Sequence, residues 1–144
     1  METLFRSESE VYSALKDLQG QFIPECLGYF VIKWKKRELP DDRLVNVILL
    51  EKVDGQRLSR FPTASLKPEE KTVLAKQIKE IMVHLNRRGV VMPKVCSEDF
   101  IVEGVSKVRL VDFLAAEFVA HLEIQRAYQE NAVYELLESS GLLS

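Results

Sequence analysis

The stretch Arg87–Glu117, RRGVVMPKVCSEDFIVEGVSKVRLVDFLAAE, decides the fold. The helical apolar pattern that enters it stops at Gly89, a residue type that commonly ends helices. Two short runs rich in β-branched residues follow, Phe100–Val102 and Val108–Val111, and a glycine-containing turn separates them. A long helix followed by a pair of short strands predicts an α+β domain.

Segments on the N-terminal side extend this pattern. Ser7–Glu10 fits a capping box, and the apolar spacing behind it predicts a helix that stops at Gly20. Two strand-like runs follow, Leu27–Lys35 and Leu44–Leu50, and residues 38–42 between them are typical of a turn. We therefore predict a β-hairpin after the first helix.

The strongest helical pattern lies directly before the opening stretch. Pro68 suits a first helical turn, and the two glutamates after it favour the positive end of the helix dipole. A short helix is predicted over Gln56–Phe61, and one or two helices over Ala115–Leu137, which contains no Pro or Gly. The long helix should turn an apolar stripe toward the core. The stripe consists of Leu74, Ile78, Ile81, Met82 and Leu85.

Composition and charge narrow the class of protein. The 144 residues are 47% hydrophobic and 29% charged, which is typical of one folded domain with a real core. The net charge of −2 predicts no general attraction to nucleic acid or anionic membranes, and the basic run Lys33–Arg37 is interpreted as a solvated strand end. No apolar run approaches the roughly 20 residues of a membrane span, and no secretory leader is visible.

The two cysteines, Cys26 and Cys96, are far apart and lack the spacing of metal ligands. We interpret both as buried, reduced thiols. This interpretation predicts a reducing compartment, the cytoplasm, with the nucleus or secretion by an unconventional route as alternatives.

The order of these segments resembles a eukaryotic-type protein kinase from its C-helix onward, and the fungal kinase-like group in particular. The resemblance implies an α+β, mainly helical domain over residues 1–144, with an upper-lobe remnant in 1–52 and a lower-lobe part in 53–144. The likeness rests on four stretches. EVYSALKDLQGQFIPECLGYF (10–30) resembles the C-helix and strand four, and VNVILLEKVDGQRLS (45–59) resembles strand five and the hinge. KTVLAKQIKEIMVHLNRRGVV (71–91) resembles the helix before the catalytic loop, and KVRLVDFLAAE (107–117) resembles the strand that ends in Asp-Phe-Gly.

The resemblance also identifies the positions where a kinase carries its catalytic and metal-binding residues. Phosphoryl transfer depends mainly on holding phosphates and metal in place. The family's glycine-rich loop and strand Lys have no counterpart in this sequence. Met92 stands at the position of the catalytic-loop His, Lys94 at that of the proton-accepting Asp, and Asp99 at that of the metal-binding Asn. The Asp-Phe-Gly motif corresponds here to Asp112, Phe113 and Leu114.

Each of these residues also has a simpler structural interpretation. Glu10 matches the C-helix Glu by resemblance, but by its own pattern it is a capping-box residue. Asp99 suits a turn acceptor and Asp112 a loop acceptor, with metal binding as the alternative for both. Lys94 is interpreted as a solvated loop charge, and Phe113 as core.

The joint loss of the phosphate-covering loop, the Lys and the catalytic Asp predicts a catalytically inactive protein that needs no cofactor and acts by binding another protein. The expected partner is a full-length kinase-like relative or a second copy in a homodimer. One alternative is a residual nucleotide or metal switch, in which the hinge backbone meets an adenine and Asp99 and Asp112 share a cation. The hinge residues are Glu51, Lys52 and Val53. Another alternative is a host-directed effector that uses the fold as a scaffold.

The partner surface is predicted from the strand VNVILL, Val45–Leu50, which would keep one open edge without its kinase neighbour. Proteins rarely leave a long apolar edge bare. The N-terminal ETLFR, residues 2–6, is a candidate short strand to cover part of it. We expect the edge and the nearby face of the first helix to form an interface. The candidate interface residues are Val11, Leu15, Val45, Val47 and Ile48.

Overall fold

A computed structural model describes residues 2–35, 43–113, 116–118 and 122–143. Within these ranges, helices of 13, 20 and 18 residues accompany three small antiparallel sheets. The α+β prediction is confirmed. The fold is less helical than expected, because strands and loops share the described chain with the helices.

The first helix, α1, spans Glu2–Ala14 and is followed by a 3₁₀ turn over Lys16–Leu18. The prediction that Ser7–Glu10 caps a helix start is wrong, because these residues lie inside α1. Residues 2–6 hold no Pro or Gly, so nothing in the local sequence stops the helix from extending over them. For the same reason, the prediction that ETLFR is a short covering strand is wrong.

The predicted hairpin is confirmed. Strand β1 spans Cys26–Trp34, strand β2 spans Arg43–Leu50, and they pair antiparallel with Tyr29 opposite Ile48. We call this pair the β1–β2 ribbon. The predicted turn over residues 38–42 lies outside the described residues.

The short helix predicted over Gln56–Phe61 forms only in part, as a 3₁₀ turn that follows a short strand. Strand β3 spans Gln56–Arg57, and a 3₁₀ turn covers Leu58–Arg60. Helix α2 then spans Pro68–Arg87, where the Lys67 N–H donates to the Glu70 carboxylate at 2.8 Å. The predicted long helix is therefore confirmed, and all five residues of its apolar stripe are buried.

Strand β4 spans Val90–Val91, after which β5 (Phe100–Glu103) and β6 (Lys107–Leu110) form the predicted strand pair, with β3 added at its edge. Gly104 makes the turn between them with a φ of +64°, a conformation that favours glycine. Strand β7 spans Glu117–Phe118 and pairs with β4. A two-residue strand carries no periodic pattern, so the sequence did not indicate this pairing.

The last helix, α3, spans Leu122–Ser139, so its start is later than the predicted Ala115. Buried apolar side chains of α1, α2, α3 and the β5–β6 pair form one continuous core. In the part of the chain that the structure describes, no helix has the length and apolarity that crossing a membrane requires. Cys26 is half-buried and Cys96 is exposed, both as free thiols, so the prediction that both are buried is wrong.

Candidate functional site

The loop after β4 carries the first two positions that the kinase resemblance identified. Met92 is fully buried, and its backbone N–H donates to the side-chain oxygen of Gln129 on α3 at 2.8 Å. Lys94 is exposed, which agrees with a solvated loop charge. Met92 is therefore part of the packing between the loop and α3, and Lys94 places a positive charge where the resemblance expects a proton acceptor.

Asp99 closes a 3₁₀ turn over Ser97–Asp99. Its carboxylate accepts the backbone N–H of Cys96 at 2.9 Å, as expected of a turn acceptor. Burial raises the pKa of Asp99, and the charge of Asp112 raises it further. The two carboxylates therefore lie close enough to repel each other.

A third carboxylate comes from α1. Burial raises the pKa of Glu8, and the charge of Asp112 adds to this effect. Glu8 is thus the α1 carboxylate whose pKa is raised by the charge of Asp112, whereas Glu10 is exposed on the same helix. The sequence missed Glu8 because the assumed helix start placed it among cap residues.

Phe113 anchors the segment that follows β6. It is buried, and its ring meets the ring of Tyr12 edge-on, with centroids 5.1 Å apart and planes at 80°. This arrangement is favourable for aromatic pairs. It ties the Asp112–Phe113 segment to α1 and agrees with the interpretation of Phe113 as core. Leu114 lies outside the described residues.

Glu8, Asp99 and Asp112 therefore bring negative charge together from three elements. Across the described residues, no three His, Cys, Asp or Glu side chains converge in a way that could hold a metal ion. A nearby negative charge raises the pKa of a carboxyl, and this is the effect of Asp112 on Glu8 and Asp99. The described residues thus place repelling charges here and assemble no set of metal ligands.

The repulsion has a testable consequence for stability. A carboxyl whose pKa is raised by folding stabilises the folded state only at low pH, and this contribution is lost as the pH rises through the folded pKa. Glu8→Gln should therefore raise the free energy of unfolding at pH 7, by about 0.5 kcal/mol for a partly solvated pair. Thermal unfolding between pH 3.5 and pH 8 measures this, and the gain should vanish below the unfolded pKa of about 4.3.

The control is Glu10→Gln, on the exposed side of the same helix. It should leave the pH profile of unfolding unchanged. A Glu8→Gln gain that is the same at pH 3.5 and pH 8 would show that Glu8 does not experience the charge of Asp112.

Two of the three hinge side chains, those of Glu51 and Lys52, form interactions within the chain. The Glu51 carboxylate accepts the Glu25 N–H at 2.9 Å and pairs with Arg109 at 2.5 Å. Arg109, on β6, is largely buried and also pairs with Glu103 at 3.1 Å. Lys52 pairs with Asp54 at 3.5 Å in solvent. Neither Glu51 nor Lys52 is thus arranged around a ligand.

The sequence missed Arg109 because a charged residue in a strand is expected to face solvent. Its two acidic partners lie 58 and 6 positions away along the chain. No local pattern brings them together.

A cavity of about 350 Å³ lies between α2 and α3. Apolar side chains of both helices line it, among them Met82, Val133 and Leu137. It lies apart from the acidic cluster and from the hinge, since none of their residues line it. The predicted nucleotide-facing region therefore does not coincide with this cavity.

The interface residues predicted on α1 are wrong. Val11 and Leu15 are 0% exposed, because they pack into the core that α1 shares with α2. The apolar spacing marks a face that packs against something, and the core of the chain itself covers that face.

The ribbon residues Val45, Val47 and Ile48 lie in a different environment. Val45 is 37% exposed, and the other two are half-buried. Tyr29 donates its hydroxyl to the Ser9 carbonyl at 3.2 Å, so one face of the ribbon turns toward α1. Side chains alternate along a strand, and paired residues share a face.

The opposite face of the ribbon carries apolar side chains from Phe30 to Ile32 on β1 and from Val45 to Leu49 on β2. We call it the apolar ribbon face. Its members are Phe30, Ile32, Val45, Val47 and Leu49. Phe30 is 49% exposed and Leu49 is 48% exposed. Within the described residues, β1 and β2 pair only with each other, so each keeps one unpaired outer edge.

Comparison with known proteins adds no relative. No protein-family model matches this chain, and no curated protein matches it.

Proposed function

We propose that this chain is a kinase-like protein without phosphotransfer activity, and that it functions by binding another protein along the β1–β2 ribbon. The observation that carries the proposal is the ribbon itself, which exposes the apolar ribbon face and, within the described residues, has unpaired outer edges. A two-stranded sheet is marginally stable in water unless it packs on something. Exposed apolar strands of this kind mark sites where another chain binds.

The order of the elements supports the kinase-like part of the proposal. Helix α1, the ribbon, the segment after Leu50, helix α2 and the β5–β6 pair follow one another as the resemblance implies. The Asp112–Phe113 segment also follows β6 directly. These features support the correspondence of the five described site positions, Met92, Lys94, Asp99, Asp112 and Phe113, to those of a kinase.

Two observations support the loss of phosphotransfer. Lys94 carries the charge opposite to that of a proton acceptor. The carboxylate of Asp99 accepts the Cys96 N–H of its own turn. Transfer requires both positioning and stabilisation of developing charge, and these residues provide neither.

The alternative of a residual metal or nucleotide switch is favoured by one observation. Asp99 lies within electrostatic reach of Asp112, and a divalent cation would relieve their repulsion. A thermal-shift titration with Mg²⁺, alone and with ATP, tests this alternative. Saturation at 100 times Kd would stabilise the fold by roughly 2.7 kcal/mol.

The test of the binding function is Val47→Lys, which places a charge on the apolar ribbon face. Capture of a partner from native lysate should fall at least tenfold, because a buried unpaired charge is costly at an interface. The amides on the outer edge of β2 should exchange slowly in the complex and rapidly in the monomeric protein, as measured by hydrogen exchange. The same protein should transfer no labelled phosphate from ATP and Mg²⁺.

The matched control is Val105→Lys, which makes the same change at an exposed valine in the β5–β6 turn. It should leave capture unchanged. Capture that is equal for both variants, with the outer-edge amides of β2 already protected in the monomer, would contradict the binding function. Phosphate incorporation that Asp112→Ala abolishes would contradict the loss of catalysis.

A further inference from the structure

The backbone groups of β2 point in directions that one hydrogen bond establishes. The N–H of Glu51, the residue after β2, donates to the Glu25 carbonyl on the β1 side at 2.9 Å. Backbone groups alternate between the two edges of a strand. Val45, Val47 and Leu49 therefore turn their N–H and C=O groups toward β1.

The alternate residues of β2 turn their backbone groups to the outer edge. We call them the outward residues. They are Leu44, Asn46, Ile48 and Leu50. In the described part of the chain, no strand pairs with that edge. The segment 44–50 also holds no Pro, Gly or charged residue, the features that usually protect an edge from pairing.

We propose that a second copy of this chain pairs its β2 with this edge, antiparallel, about a two-fold axis at Val47. This inference rests on the proposed function and names the partner of the same surface. The product is a four-stranded sheet in the order β1–β2–β2–β1. A two-fold interface uses the same patch on both copies.

The outward residues select the register. With the axis at Val47, Leu44 faces Leu50 and Asn46 faces Ile48 of the other copy, so every outward residue gains a backbone partner within the strand. Moving the axis to Ile48 places Leu44 opposite Lys52, which lies beyond the strand end. Placing the axis between two residues would oppose side chains from different faces of the sheet, which the pleat does not allow.

Side chains favour the same arrangement. With the axis at Val47, the two Val47 side chains lie opposite each other, and Val45 of each copy lies opposite Leu49 of the other. All of these belong to the apolar ribbon face, so each copy covers part of what the other exposes. Cross-strand pairs of β-branched and apolar side chains stabilise sheets.

The register is tested by disulfide formation. In a background with Cys26→Ser and Cys96→Ser, the variant Val47→Cys should oxidise to a covalent dimer. Residues 47 form a non-hydrogen-bonded pair with Cα atoms about 4.5 Å apart, within the range that a disulfide spans. Val45→Cys alone should dimerise at least tenfold more slowly. An equal mixture of Val45→Cys and Leu49→Cys proteins should cross-link to each other.

The control for random collision is Val105→Cys in the same background, since Val105 is exposed and remote from the ribbon. The wild-type protein, which needs no substitution, should sediment as a dimer and become monomeric when Val47→Lys is introduced. A wild-type monomer at the highest attainable concentration, or a Val47→Cys rate equal to that of Val105→Cys, would overturn the homodimer.

These outcomes separate the two proposals. A monomer that captures a different protein in a manner sensitive to Val47→Lys overturns the homodimer and leaves the binding function standing. A monomer whose outer-edge β2 amides exchange slowly and whose capture is unaffected by Val47→Lys overturns both.

Discussion

Replacing Ile81 with Ala should lower the free energy of unfolding by about 2–5 kcal/mol. Ile81 is 0% exposed in the middle of α2, inside the core that all three helices share. The substitution removes buried apolar surface and leaves a cavity that the close-packed neighbours fill only in part. Urea denaturation followed by circular dichroism measures the change.

The matched control is Val73→Ala on the same helix, where the side chain is 41% exposed. It should change the free energy of unfolding by less than about 0.5 kcal/mol, because little buried surface is lost. A similar small loss for Ile81→Ala would mean that the stripe of α2 does not face the core.

Replacing Arg109 with Met should lower the free energy of unfolding by about 2–4 kcal/mol at pH 7, slightly below the range for fully buried ion pairs. The guanidinium joins Glu51 at the end of the ribbon to Glu103 on β5, and its side chain is only 10% exposed. Methionine keeps much of the volume but leaves Glu51 without its cation and Glu103 with only the longer pair to Lys107. Thermal and urea unfolding should both report the loss.

The loss should depend on pH. The Glu25 N–H and the Arg109 guanidinium hold the pKa of Glu51 below its usual value. A lowered pKa stabilises the folded state above the unfolded pKa, and this contribution disappears as the pH falls through the folded pKa. The difference between wild type and Arg109→Met should therefore be largest above about pH 5 and shrink toward pH 3.

The control is Lys107→Met, two residues earlier on β6. Lys107 pairs with Glu103 at 3.6 Å from a half-exposed position, and such pairs contribute less than about 1 kcal/mol. Equal losses for the two variants, independent of pH, would show that Arg109 acts by packing alone.

Sequence by itself determined the elements whose signals are local. Helix α2 combines Pro68 in its first turn, an apolar stripe of helical period and a following Gly89, so its bounds agree with the prediction. The hairpin and the β5–β6 pair are equally local, since each couples β-branched runs through a short connection. In helix α2 and in the β5–β6 pair, the side-chain period agrees with the glycines that end or reverse the element.

Some of the site also followed from sequence. Phe113 is buried, Lys94 is exposed and Asp99 accepts a turn hydrogen bond, as their residue types and positions predicted. The start of α1 at Glu2 could not be predicted from sequence, because the capping-box pattern of Ser7–Glu10 is a weak signal for a helix start and the helix continues through it. The sequence therefore pointed to Glu10, whereas the folded chain brings Glu8 toward Asp112.

Only the tertiary structure decided which apolar surface is covered. Val11 and Leu15 show the same apolar spacing as an interface helix, but the core of this chain buries them. The sequence pattern around Phe30 and Leu49 is equally apolar, yet both side chains are about half-exposed on the ribbon. The spacing of apolar residues indicates that one face of a helix or strand is apolar. What covers it depends on packing between segments distant in sequence, and the same dependence brings Arg109 to Glu51 across 58 positions.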